Sequence, residues 1–135
     1  MSNVRRRKQL VRAGNEYTMI FAVETEERSL YAFDSEAQAI AACEGLDVEA
    51  AVWLFWGNDG SPLEPVFTVP NKRGLFSVEN GTYHLSPAAE DHHAHLTEAL
   101  EEVLHYEAKP PLSTAQGVKS HLVAAAGAPR EDRDA

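Results

Sequence analysis

Apolar and polar positions between Tyr17 and Glu107 fall into short runs whose period changes several times. Tyr17–Val23 (YTMIFAV) is apolar and rich in β-formers and reads as a strand. Glu24–Ser29 (ETEERS) reads as a polar turn and Leu30–Phe33 (LYAF) as the returning strand, so the two form a hairpin. At Ser35 the pattern turns helical. Asp34 or Ser35 serves as N-cap, Ser35 with Gln38 fits a capping box, and Gly45 suits the position just past an alanine-rich body over Glu36–Cys43.

Val52–Trp56 (VWLFW) is five apolar residues in a row, the mark of a central strand covered on both faces. A turn follows at Gly57-Asn58-Asp59-Gly60. Pro62, Pro65 and Pro70 flank Val66–Val69 and confine that segment to a sheet edge or to the flanks of a short strand. Asn80-Gly81 is the pair favoured in two-residue type I′ loops. It predicts a hairpin in which Val78 faces Tyr83 and Phe76 faces Leu85, with these four residues on one face. Ser86 or Pro87 then opens a second helix to about Glu107, its apolar side being Leu96, Leu100, Val103 and Leu104. Pro110-Pro111 stop it. Residues 112–135 are small, polar and mixed in charge, with a helical turn or two over Val118–Ala126 and a disordered end.

The order β-β-α-β-β-β-β-α lacks regular βαβ alternation. It predicts an α+β fold: a mainly antiparallel sheet of about five to six strands with two helices packed on one side. Three segments follow: a basic N-terminal arm (1–15), an acidic domain (16–108) and a flexible C-terminal tail (109–135).

Charge sharpens this division. The 135-residue chain has a net charge of −9, but residues 17–107 hold only Arg28, Lys72 and Arg73 against seventeen acids, a net of −14. Such a surface repels nucleic acid and anionic lipid and attracts basic partners. Arg5, Arg6, Arg7 and Lys8 form the one segment suited to phosphate contacts, or to lying on the acidic domain. No apolar run approaches the ~18 residues of a membrane span, and no apolar core follows the basic cluster as in a secretory signal. With Cys43 the single cysteine, the expected compartment is the cytoplasm.

Candidate chemistry is sparse. His92-His93-x-His95 would place His92 and His95 at i, i+3 of a helix, able to share a metal ion with Asp91 or a residue from elsewhere. The bland alternative is a first turn of surface histidines. Acids cluster at Glu44, Asp47 and Glu49 and again at Glu98, Glu101 and Glu102, a pattern that any solvated acidic face shows. Cys43 in its alanine-rich helix reads as a small buried hydrophobe. No phosphate loop, dinucleotide fingerprint or serine elbow is present, and no cofactor is expected. Trp53 and Trp56, three apart, lie on opposite faces of their strand, so one is open to a binding role.

The expected function is therefore non-enzymatic: an acidic domain that docks on a basic protein, most concretely an immunity or antitoxin-type inhibitor of a nuclease-like toxin. Glu44, Asp47, Glu49, Asp59 and Glu64 are the expected docking carboxylates and Trp56 the anchor. Two alternatives stand beside it: a small metal- or carboxylate-dependent enzyme using His92 and His95, and an assembly module tethered by its basic arm.

Overall fold

The computed structural model describes residues 19–75, 77–89 and 91–127. The arm at 1–15, the chain's end at 128–135 and Phe76 lie outside the described residues. The fold is α+β. A mixed six-stranded sheet runs in the order β7-β4-β3-β1-β2-β8, with a separate two-stranded ribbon of β5 and β6.

The first hairpin forms as its sequence predicts. β1 (Ile20–Glu24) pairs antiparallel with β2 (Ser29–Phe33), with Ile20 opposite Phe33 and Glu24 opposite Ser29. Arg28 closes the turn in the left-handed region at φ 59°. Ser35 caps α1 (Glu36–Ala42): its Oγ accepts from Gln38 N at 3.2 Å, while Gln38 Oε1 accepts from Asp34 N. Gly45 does not end this helix but starts a second short one, α2 (Gly45–Glu49).

β3 (Trp53–Trp56) takes the central place, antiparallel to β1 on one side and β4 (Pro62–Val69) on the other. β4 is therefore not an edge strand, despite its prolines. It pairs with β3 only at Pro62 and Leu63, and the ladder stops before Pro65, whose missing N–H therefore costs no bond to β3.

The Asn80-Gly81 hairpin does not form. A type I′ loop needs positive φ at both central residues, and neither residue has it. Instead β6 (Val78–Glu79) pairs with β5 (Lys72–Arg73), and β7 (Thr82–Pro87) pairs with β4, Phe67 opposite Tyr83. Tertiary contacts outbid the turn. Asn80 Oδ1 accepts from Leu46 N at 2.9 Å, and Gly81 packs so closely on Val69 and Pro70 that a Cβ would overlap their backbone.

The expected helix over residues 86–107 is also replaced. Ser86 and Pro87 finish β7, and residues 88–89 and 91–95 are neither helix nor strand. Only α3 (Leu96–Ala99) and a 3-10 turn (Leu100–Glu102) are helical. β8 (His105–Glu107) then pairs parallel with Ser29–Tyr31, the one parallel pairing among the described residues. Arg28 directs this switch. Its carbonyl accepts from Leu104 N (2.8 Å) and His105 N (3.1 Å), which pulls the chain into extended geometry. In place of the turn or two expected near the C-terminus, α4 spans Ala115–Ala126. It is capped by Thr114 Oγ1 and docked through Val118 and Leu122.

Helices cover both faces of the sheet rather than one. On one face Phe21, Val23, Leu30 and Trp56 pack with Leu96 and Leu100 and with Leu112, Val118 and Leu122. On the other, Ala22 and Phe55 pack with Tyr83, with Ala39 of α1, with Cys43 and with Val48 of α2. Each large side chain buried this way contributes roughly 1.5–3 kcal/mol. The outer edge of β7 is closed by α1, since Glu36 Oε2 accepts from Leu85 N at 2.7 Å.

Candidate functional site: two acidic clefts beside the central strand

Two clefts meet at Leu54. The smaller, about 280 Å³, is lined by Glu49 of α2, Trp53 of β3, Glu64 and Phe67 of β4, and His92. The larger, about 520 Å³, has a floor of Val23, Leu54, Trp56 and Ala99 and a rim of Glu98, Glu101 and Glu102. Leu54 lines both, and the His92–His93 pair lies beside it.

The smaller cleft opens where β3 and β4 stop pairing. Their ladder ends at Phe55 and Leu63, and Trp53 and Leu54 of β3 line the cleft together with Glu64 and Pro65 of β4. Glu49 is held in place by Asn71, whose Nδ2 donates to its Oε1 at 2.8 Å. Arg73 approaches the same oxygen at 3.8 Å. Glu64 faces His92 Nε2 at 3.8 Å.

The larger cleft is built by the 3-10 turn. Positions 98, 101 and 102 recur at i, i+3 and i+4 and share one side of a helical turn. Arg28 is the cleft's one cation among the described residues. Its Nε donates to the Glu102 carbonyl at 2.9 Å and its terminal nitrogen pairs with the Glu102 carboxylate.

The wall near Leu54 has a fixed protonation pattern. His93 Nε2 lies 2.9 Å from the Phe55 carbonyl, which only accepts, so Nε2 carries the hydrogen. Neutral His93 then offers a bare Nδ1 to His92 Nδ1 at 2.7 Å, and His92 is the donor there. Burial holds His93 below the ordinary histidine range. The Phe55 carbonyl opposes this shift and His92 adds to it. The His93 ring also packs edge-on against Trp56.

The expected docking residues divide. Glu49 and Glu64 come together in the smaller cleft. Glu44 caps the start of α2 without a side-chain bond, and Asp47 is exposed on that helix; neither lines a cleft. Asp59 lies at the far end of β3, where its Oδ1 accepts from Ser61 N and shapes the turn. Trp56 is a core residue at 1% exposure, its indole N–H donating to Ala94 O at 2.7 Å, so it is not an exposed anchor but only underlies the larger cleft. Trp53, on the opposite face, is the half-buried one.

His92 and His95 are not brought onto one helix face. His92 belongs to the histidine pair, whereas His95 is the N-cap of α3, its Nδ1 accepting from Thr97 N while its ring packs on Gly60. Among the described residues no group of three histidines, cysteines or acids is placed to hold a metal ion. Cys43 is buried, and that burial, with Asp47 nearby, pushes its thiol up to about 12, which keeps it protonated and unreactive. Its carbonyl accepts from the Tyr83 hydroxyl at 2.7 Å. Burial raises the Tyr83 phenol.

Glu98, Glu101 and Glu102 are exposed, as a solvated acidic face requires, and they also line the larger cleft. Their spacing was visible, but the apolar floor beneath them depends on β1 and β3 and carries no local signal. Among the described residues no helix is long and apolar enough to cross a membrane. Comparison with protein-family models, curated proteins and solved structures finds no match.

Proposed function

We propose that this chain is a non-enzymatic, acidic protein-binding domain that docks on a basic protein partner. The observation that carries the reading is the smaller cleft. Glu49 and Glu64, acids from separate elements, flank the half-buried Trp53 and the aromatic Phe67 in one concavity. An aromatic anchor framed by carboxylates suits a cationic surface: the ring gives contact area, and the charges steer the encounter and fix register. The net charge of −14 over residues 17–107 extends that steering over the whole domain. The concrete form is an immunity or antitoxin-type inhibitor that covers the cationic active site of a nuclease-like toxin in the cytoplasm. Such an inhibitor needs no catalytic set, and Cys43, the one thiol, is chemically silent.

The test is capture of partners from source lysate by the full chain and by Glu49→Lys/Glu64→Lys, each at low and high salt, followed by association rates with the captured protein. The expected result is one basic partner whose association slows by at least tenfold with salt and with charge reversal. Binding indifferent to both overturns the reading.

A further inference from the structure

We infer that the larger cleft is a receptor for an arginine side chain presented by a basic protein partner. The inference deepens the docking reading and rests on it, but it concerns a different cleft and its own chemistry. Arginine carries an apolar stem and a planar charged head. A matching site therefore needs an apolar floor and carboxylates at its mouth. The floor here is Val23, Leu54 and Ala99 over the buried Trp56, and the mouth carries Glu98 and Glu101 on one side of the α3 turn. The cleft already shows the chemistry once. The guanidinium of Arg28 is held at its edge in fork fashion, one nitrogen on the Glu102 carbonyl and another on its carboxylate. At about 520 Å³ the cavity falls in the ordinary size range of ligand sites. Arginine fits better than lysine because the guanidinium is weakly hydrated and reaches two carboxylates at once, while an ammonium over an apolar floor loses more hydration.

The test uses the full chain and three capped pentapeptide probes, Gly-Gly-Xaa-Gly-Gly, with Xaa arginine, lysine or citrulline, followed by two-dimensional ¹H–¹⁵N spectra. The arginine probe is expected to shift the Trp56 indole N–H and the Ala99 and Glu101 amides saturably. Lysine is expected to titrate at least threefold more weakly, and citrulline, the neutral isostere, not at all. Glu98→Gln/Glu101→Gln, two substitutions at exposed positions, is expected to abolish the arginine shifts. Equal shifts from arginine and citrulline, or an arginine titration unchanged in the double variant, overturns the inference. A full-chain Arg5→Gln/Arg6→Gln/Arg7→Gln/Lys8→Gln variant whose cleft resonances have already moved without peptide also overturns it, because the occupant is then the chain's own segment. The two readings fail separately. A captured partner lost on Glu49→Lys/Glu64→Lys but retained by Glu98→Gln/Glu101→Gln leaves the docking function standing and removes the arginine receptor.

Discussion

Arg28 and Glu102, 74 residues apart, are joined twice, once through the Glu102 main chain and once through its carboxylate. The same arginine uses its own carbonyl to hold Leu104 and His105, so one turn residue both seals the first hairpin and seats the parallel edge strand. The side chains are largely exposed, so the ion pair itself contributes little, and the bonds to main chain matter more. Arg28 also sits at φ 59°, which is unfavourable for any residue with a Cβ. Arg28→Ala is expected to cost about 1 kcal/mol by losing the bond to the Glu102 carbonyl. Arg28→Gly loses the same bond but relieves the backbone, and is expected to be within about 0.5 kcal/mol of the parent. Urea denaturation of the two variants checks this, and a glycine variant less stable than the alanine one would refute it.

Gly117 reverses a general rule. In an exposed helix, alanine is better than glycine by roughly 1 kcal/mol. Here a Cβ on Gly117 would overlap the Pro111 carbonyl, because the turn before α4 folds back onto its first turn. Gly117→Ala is expected to destabilise by about 2 kcal/mol through displacement of Val118 from the core. Thermal unfolding of this variant beside Gly127→Ala, where a Cβ meets only the Val123 carbonyl at 3.3 Å, reads the difference.

His93 makes stability depend on pH. It is neutral in the fold and titrates below its ordinary value, while in the unfolded chain it takes up a proton near pH ~6.5. Its contribution is therefore complete above that pH. It is lost as pH falls through the unfolded value toward the lower folded one, at up to ~1.4 kcal/mol per unit. Protonation also places a second hydrogen in the 2.7 Å contact with His92. Between about pH 7.5 and 5, the urea midpoint of the parent is expected to fall further than that of His93→Gln. Equal falls would show that the linkage lies elsewhere.

Cys43 is a built-in reporter of unfolding. With the thiol pushed up to about 12 and the side chain at 1% exposure, a thiol reagent reaches it only through opening of the helix-covered face. Labelling of the native chain near neutral pH is expected to be about a thousandfold slower than in denaturant. Fast native labelling would mean that α1 opens locally.

What the sequence made legible was local. The Ser35 cap and the β1–β2 hairpin rest on contacts near in sequence, the central strand on an unbroken apolar run that shows in the sequence itself, and all three form. What failed was set by distant partners. Asn80 serves Leu46 rather than its own turn, and the stripe at Leu96, Leu100 and Val103 stays buried although its helix stops at Glu102. Leu104, which helical spacing adds to the stripe, is 60% exposed because the chain is already extended there. The site was legible in the same measure. Trp53 and Trp56 occupy opposite faces as their spacing requires, but which of the two is fully buried depends on the helices docked over each face, and that docking has no local signature.

The bond from Leu85 to Glu36 bears on how copies of this chain meet. An exposed edge strand is a template onto which another chain's strand can add. On β7 an incoming strand must first displace a carboxylate from the Leu85 N–H, and the displaced charge would then face the newcomer's carbonyl oxygens. The opposite edge, β8, is three residues long and offers too short a ladder to hold a strand. The sheet thus carries a plug at one end and a stub at the other, and self-assembly through backbone pairing is discouraged at both without any proline on the outer strands' exposed middles.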